Sequence, residues 1–244
     1  MYLVLNKEDY LFDNDSIAKL DALLDIVEDI EDGPACLVTI GAGKKLFSTG
    51  FNLKPWIVDD VNALTAIVKM QKLLARFITL PIPTFCVVQG HAFAGGLLLA
   101  LCHDFRIVTN DPKRKMCLSE INIGLCLPPS FSVLVRSVLT TQTARTMQLG
   151  VKLTGPEACE MGAFTGTFAN HEDAEKQIAQ FVKYFAPQGA HRGAMKVLKT
   201  RMFQEYIDYC DRIVFSPYDI PAIRVVIEGW RQAEKTKKAR KAKL

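Results

Sequence analysis

Residues 84–101 constrain the fold of this chain more than any other stretch. Thr84-Phe-Cys-Val-Val-Gln89 is a run of apolar and β-branched residues that reads as a buried strand. Gly90-His-Ala-Phe-Ala-Gly-Gly96 follows it, and Gly95 to Leu101 is apolar on every side, a short helix with no face for water. A buried strand running through a glycine loop into a buried helix belongs inside a layered α/β body.

The rest of the chain supports that class. Tyr2-Leu-Val-Leu5 is a short strand candidate, and Asn14-Asp-Ser16 offers helix caps before Ile17, Leu20, Leu23, Leu24 and Val27, which recur at helical spacing. After Gly33-Pro34, Ala35 to Ile40 reads as a second buried strand, and a loop from Gly41 to Lys45 leads into Phe47 to Leu53. A helix from about Val61 to Thr79 stops at Pro81-Ile-Pro83, and Phe105 to Thr109 is a further strand. Thr154-Gly-Pro-Glu157 reads as a helix start and Ala163 to Phe168 as a last strand. Alternating strands and helices predict parallel pairing. With 244 residues and 49% hydrophobic positions, the chain has enough apolar surface for one sizeable core. The division expected is a core over 1–187, a helical C-terminal region over 188–234 and a basic tail over 235–244.

The net charge of +4 resides in that tail: residues 235–244 hold six Lys or Arg and no acid, leaving 24 basic against 26 acidic residues in the body. Charge therefore gives the body no nucleic-acid-binding surface. The seven cysteines are scattered, with no Cys-x-x-Cys pair, which fits a reducing compartment better than disulfides or zinc. No metal-ligand spacing, Gly-x-Gly-x-x-Gly or phosphate-loop motif is found. The N-terminus lacks the form of a signal peptide, and the apolar stretch Ala92–Cys102 is too short to cross a bilayer. A soluble intracellular protein without membrane insertion is expected.

Each of the strands 35–40 and 84–89 runs into a loop whose glycines permit close backbone approach to a ligand. Ligands of open α/β sheets gather at the carboxyl ends of strands. Gly95-Gly96 also opens a helix, whose free N–H groups favour developing negative charge. With a second N–H from residues 47–53 they could form an oxyanion hole, worth roughly 2.7–4 kcal/mol per donor. Glycines after strands also serve simply as turns, and the residues alone leave both readings open.

Four segments in order resemble the crotonase superfamily, the enoyl-CoA hydratases and isomerases. They are Phe47-Ser-Thr-Gly-Phe-Asn-Leu53, Pro83 to Gly96, His103-Asp-Phe-Arg-Ile-Val108 and Ser119-Glu-Ile-Asn-Ile-Gly-Leu125. The resemblance covers residues 35–129 well and the remainder loosely. It implies a spiral of β-β-α units with a helical C-terminal trimerisation region, and a homotrimer or a hexamer. It implies an acyl-CoA thioester substrate and no cofactor beyond the coenzyme A that the substrate carries. It further implies that the N–H groups of Phe51 and Gly95 hold the thioester oxygen, with Thr49, Gly50, Phe51, Asn52 and Leu53 bordering the acyl-CoA. Phe51 stands where the family often has Ala, Ala94 where hydratases usually carry the first of three glycines, and Ser119 replaces a proline.

Glu120 matches the family's catalytic acid position. The apolar Ile121, Ile123, Leu125 and Leu127 after it predict a partly desolvated carboxylate, hence a stronger base. The plainer alternative is an exposed Glu at a strand end. Hydratases carry a second Glu where this chain has Leu98, which shares a helical face with Gly95 and would point at the pocket. With one carboxylate, the resemblance favours a Δ3,Δ2-enoyl-CoA isomerase, in which Glu120 moves a proton from C2 to C4. Phe93, Leu97, Leu98 and Phe131 are candidates for an apolar acyl pocket or for plain core. Lys44, Lys45 and Lys54 are the cations near the loop. His91 and His103-Asp104 read as structural, and His171 and His191 as solvated helix positions.

The terminal Ala242-Lys243-Leu244 resembles a peroxisomal address, implying an import receptor as partner and a peroxisome, or a related organelle such as a glycosome, as location. Two other readings compete. One is a hydratase, lyase or hydrolase on the same fold. The other is a non-catalytic body that binds RNA or a partner through its basic tail.

Overall fold

The computed structural model describes residues 1–30, 33–212 and 219–241. The chain opens with β1 (Tyr2–Leu5) and α1 (Asn14–Glu28), followed by β2 (Leu37–Gly41), β3 (Leu46–Ser48), α2 (Lys54–Val58) and α3 (Asp60–Ile78). Next come β4 (Thr84–Val88), β5 (His91–Phe93), α4 (Gly95–Leu101), β6 (Phe105–Thr109) and β7 (Met116–Cys117). After a 3₁₀ turn at Glu120–Ile123 the chain is mostly helical: α5 (Pro129–Val138), α6 (Thr141–Gln148), α7 (Gly155–Glu160), then β8 (Gly166–Phe168). It continues with α8 (His171–Phe185), α9 (Arg192–Met202), α10 (Gln204–Arg212) and α11 (Asp219–Lys241).

Two parallel sheets result. One has the order β1-β2-β4-β6-β8, the other β3-β5-β7. Three successive turns, β2-β3, β4-β5 and β6-β7, therefore lay one strand in the large sheet and the next in the small one before helical segments return the chain. This is the spiral of β-β-α units that the resemblance implied. The small sheet was not foreseen, because strands of two or three residues are too short to show a period.

Local chemistry explains the main elements. The cap of α1 is Asp13, one residue before the expected trio: it accepts from the Ser16 N–H while the Ser16 hydroxyl accepts from its own N–H. Ile17, Leu20, Leu24 and Val27 then face the core. Helix α4 keeps the expected bounds, and all seven of its residues are buried. Gly96 lets it lie directly on β3, since a Cβ there would come within 2.3 Å of the Ser48 carbonyl oxygen.

His103 and Asp104 do fasten the chain. His103 is buried between the Leu99 carbonyl (2.9 Å) and the Thr39 hydroxyl (2.7 Å). A carbonyl can only accept, so Nδ1 carries the proton and Nε2 accepts from Thr39. Burial lowers this imidazole's pKa to about 4, keeping it neutral. Asp104 accepts from the Thr84 N–H (2.8 Å) and hydroxyl (3.0 Å) at the start of β4, and from Lys199 of α9 (2.6 Å). Lys199 also donates to the Ile82 carbonyl at 2.8 Å. The C-terminal helices are tied to the spiral again at Gln71, whose carbonyl accepts from Tyr206 and whose side chain bonds Ser130 and the Cys210 carbonyl.

Helix α11 runs on through the first residues of the basic tail as far as Lys241. Ile213, Val214 and the terminal Ala242, Lys243 and Leu244 lie outside the described residues. Of the other apolar C-terminal positions, Ile223 is buried and Val226 partly so, while Val225 is exposed. Among the described residues no helix is long and apolar enough to cross a membrane.

Candidate active site

The small sheet positions the chemistry. Ser48 of β3 is in register with Ala92 of β5, and Phe93 of β5 with Cys117 of β7. The segments that leave these strands, 49–53, 94–95 and 119–120, therefore emerge side by side at the carboxyl end. Gly50 adopts φ +98°, and a Cβ there would meet the Ala94 Cβ at 2.9 Å and the Gly95 nitrogen at 3.0 Å. Only glycine permits the two loops to approach so closely.

Ala94 turns the chain into α4 at φ 50°, the one positive φ outside glycine among the described residues. Such a conformation costs roughly 1–3 kcal/mol and persists where the surroundings enforce it. Gly95 follows as the first residue of α4, where the N–H has no intrahelical acceptor. Among the described residues neither the Gly95 nor the Phe51 N–H donates a hydrogen bond. Two unspent backbone donors thus lie on loops that touch.

A brace from residues 9–13 fixes the first loop. Asp9 accepts from the Thr49 N–H (2.9 Å) and hydroxyl (2.6 Å), and the Ser48 hydroxyl donates to the Tyr10 carbonyl (2.6 Å). Phe12 donates to the Gly50 carbonyl and accepts from the Asn52 N–H. Sequence analysis gave this segment no role. In the second loop the Ala94 N–H donates to the Cys117 carbonyl (2.9 Å) and its carbonyl accepts from the Leu98 N–H (3.0 Å). Backbone bonds and not the side chain thus hold the turn, and Ala94→Gly should release strain without moving Gly95. A thermal melt should rise by about 2–4 °C, the equivalent of roughly 1 kcal/mol in a chain of this size.

Between these loops and the C-terminal helices lies a cavity of about 270 Å³. Of the residues expected there, Thr49, Phe51, Leu53, Phe93, Glu120 and Phe131 line it. Gly50, Asn52 and Gly95 are not among its lining residues, though their chain neighbours Thr49, Phe51, Leu53 and Ala94 are. Leu97 and Leu98 do not line it: both are wholly buried in the core. Position 98 shares a helical face with Gly95, but α4 is enclosed on all sides, so that face does not single out the cavity. Trp56, Ile67, Leu125, Leu127 and Ile223 complete the apolar wall and Cys126 joins them. Trp56 follows the glycine loop closely enough to have been suspected, whereas nothing local to Ile223 marks it.

Glu120 opens the 3₁₀ turn that Gly124 closes at φ 75°. It sits in a turn rather than at a strand end, and Ile121 beside it is half exposed. Its Oε2 is buried and meets no hydrogen-bond partner among the described residues. Burial pushes the carboxyl pKa up to about 7, against a small opposing pull from its own backbone N–H. Near neutral pH the group is divided between acid and base and can take or give a proton. Among the described residues it is the one carboxylate on the cavity wall.

The other candidates have structural or solvent-facing places. His91 accepts from the Lys115 N–H (2.9 Å), and burial lowers its pKa. His171, His191 and Lys54 are exposed, as are Lys44 and Lys45, whose N–H groups donate to Glu8. No cluster of His, Cys, Asp or Glu suited to a metal occurs among the described residues.

The parallel spiral thus brings two free N–H groups and one desolvated carboxylate to a shared strand end. Residues 16–211 match the enoyl-CoA hydratase/isomerase family, and the chain belongs to it. It is 36% identical over 163 residues to enoyl-CoA delta isomerase 2, peroxisomal, of Arabidopsis thaliana, covering 63% of this chain and 67% of the relative. Enoyl-CoA delta isomerase 3 of the same plant is 33% identical over 216 residues, 85% of this chain and 89% of the relative. The fold is shared with an enoyl-CoA hydratase from Bacillus halodurans, at TM-score 0.80 and 17% identity over 95% of each chain.

Proposed function

We propose that the protein is a Δ3,Δ2-enoyl-CoA isomerase of fatty-acid β-oxidation, with Glu120 as the sole proton shuttle. The carboxylate removes a proton from C2 of a 3-enoyl thioester, and the N–H groups of Phe51 and Gly95 hold the oxygen of the resulting dienolate. The carboxylic acid so formed returns the proton at C4, leaving the trans-2-enoyl thioester. The observation that carries the reading is the unpartnered, buried Oε2 of Glu120 in an otherwise apolar cavity. Hydration would need water held by a second group, and the wall offers Glu120 no second carboxylate for that task. The similarity to two delta isomerases supports the same choice.

A spectrophotometric comparison of 3-enoyl-CoA isomerisation with 2-enoyl-CoA hydration tests it. Isomerisation should dominate, and its kcat/KM should rise tenfold per pH unit below about 7, then level as Glu120 ionises. Hydration as the faster reaction would overturn the assignment.

The terminal Ala242-Lys243-Leu244 supports a peroxisomal location through an import receptor, and the family resemblance supports a homotrimer or hexamer. A reporter carrying the last ten residues should collect in peroxisomes and turn diffuse when Leu244 is deleted.

A further inference from the structure

We propose that Trp56, held in place by Arg231 of α11, sets an upper limit on the acyl chain at about ten carbons. This inference rests on the acyl-thioester reading and adds to it the length of the chain.

The polar side chains on the cavity wall, Thr49, Ser119 and Glu120, stand on the segments that leave the small sheet, and the rest of the wall is mostly apolar. It therefore suits a thioester followed by an unsubstituted alkyl chain. Its volume of about 270 Å³ fixes how much chain fits. A cavity of about 150 Å³ takes a six-carbon ring, so this one takes about ten carbons on the same scale.

Trp56 is the largest side chain on the wall, and it is 3% exposed. Its ring lies 5.2 Å from that of Phe51, so the indole packs on the donor loop and takes up space in the cavity beside it. It belongs to α2, a helix of five residues whose outer neighbour Val58 is 82% exposed. So short a helix does not hold itself in place. Its last carbonyls are claimed by α11: Arg231 donates from Nε to the Ile57 carbonyl (2.6 Å) and from Nη2 to that of Val58 (3.4 Å). These are the carbonyls a helix end leaves without an intrahelical N–H donor. Ile223, two turns earlier on α11, lines the cavity directly. One helix thus touches the acyl wall in two ways, through its own Ile223 and through Trp56 by way of Arg231. Arg231 is a positioning residue; Trp56 is the surface the chain end would meet.

The test is calorimetric titration of the full chain with saturated acyl-CoA thioesters from butanoyl to palmitoyl, which bind without reacting. In the wild type, affinity should rise by about fourfold per methylene and stop rising near ten carbons. Trp56→Ala should move that break upward by several carbons, and Trp56→Phe, which keeps an aromatic wall if the first variant fails to fold, by about one or two. Arg231→Ala should blur or raise the break, and Arg231→Lys should restore it in part, a response that a merely structural arginine would not give. Affinity that climbs unbroken to palmitoyl, or a break unmoved in every variant, overturns the inference while leaving the isomerase reading intact. Absence of acyl-CoA binding at every length, together with absence of isomerisation, overturns both.

Discussion

Glu120→Gln should lower isomerase turnover by at least the roughly 10²–10⁴-fold that one general base contributes, with acyl-CoA affinity nearly unchanged. Glutamine keeps the size and hydrogen-bonding capacity of the side chain and loses the lone pair that accepts the C2 proton. Because the same group serves first as base and then as acid, no second residue inherits half of its task. A variant retaining more than about a tenth of wild-type turnover would refute the shuttle.

The same substitution should raise stability, and the sign follows from the titration. The native carboxyl has a pKa of about 7 against an ordinary 4.5, so the native state binds more protons than the unfolded chain between those values. Stability therefore falls as pH rises from about 4.5 to 7 and stays reduced above. The penalty is of the order of 3–4 kcal/mol at alkaline pH. A neutral amide escapes most of it, so the melting temperature at pH 8 should exceed wild type by several degrees, and the two should converge near pH 4. Lost activity with gained stability would distinguish a catalytic carboxylate from a structural one.

Lys199→Ala carries the largest expected loss of stability. Its ammonium is 4% exposed and holds both the Asp104 carboxylate and the Ile82 carbonyl. Burial pulls its pKa down even beside that carboxylate. Removing one partner of a buried pair typically costs about 3–5 kcal/mol, because the other charge remains. Here the cost should lie near the lower bound: Asp104 is 25% exposed and keeps two hydrogen bonds from Thr84. A fall of about 6–12 °C in melting temperature is expected. Lys199→Met paired with Asp104→Asn should recover part of it, since no lone charge is then left behind. A melt unchanged by the alanine would mean that α9 is held by its apolar contacts alone.

What could be read in the sequence follows the strength of the local signal. The bounds of α4 emerge directly from a run in which every position is apolar, and those of β6 from a run that is apolar or β-branched at every position but Arg106. Strand β7, at two residues, carries no such signal, yet it positions Glu120. The desolvation of Glu120 was legible in the apolar residues after it, since Ile123, Leu125 and Leu127 line the cavity with it, whereas Ile121 is half exposed and does not; its role was legible only through the ordered motifs. What buries the carboxylate is the cavity wall, assembled from residues as distant as Trp56 and Phe131. Leu98 shows the opposite failure. Its helical phase was read properly, but phase points at a site only when one face of a helix is open, and α4 has none. Asp9 and Arg231 act through backbone groups of remote loops, which no spacing rule connects.

The order of strands in the small sheet also bears on how the protein is made. β5 lies between β3 and β7, so β3 has no neighbour in that sheet until β5 has been synthesised. Translation adds about 5–20 residues per second, and Phe51, Gly95 and Glu120 leave the ribosome several seconds apart. Through that interval the loops of Phe51 and Gly95 stand without the carboxylate that the third strand brings to them. A premature stop anywhere before residue 120 yields a chain without Glu120, so on the proposed mechanism no fragment made of the N-terminal turns holds a proton shuttle.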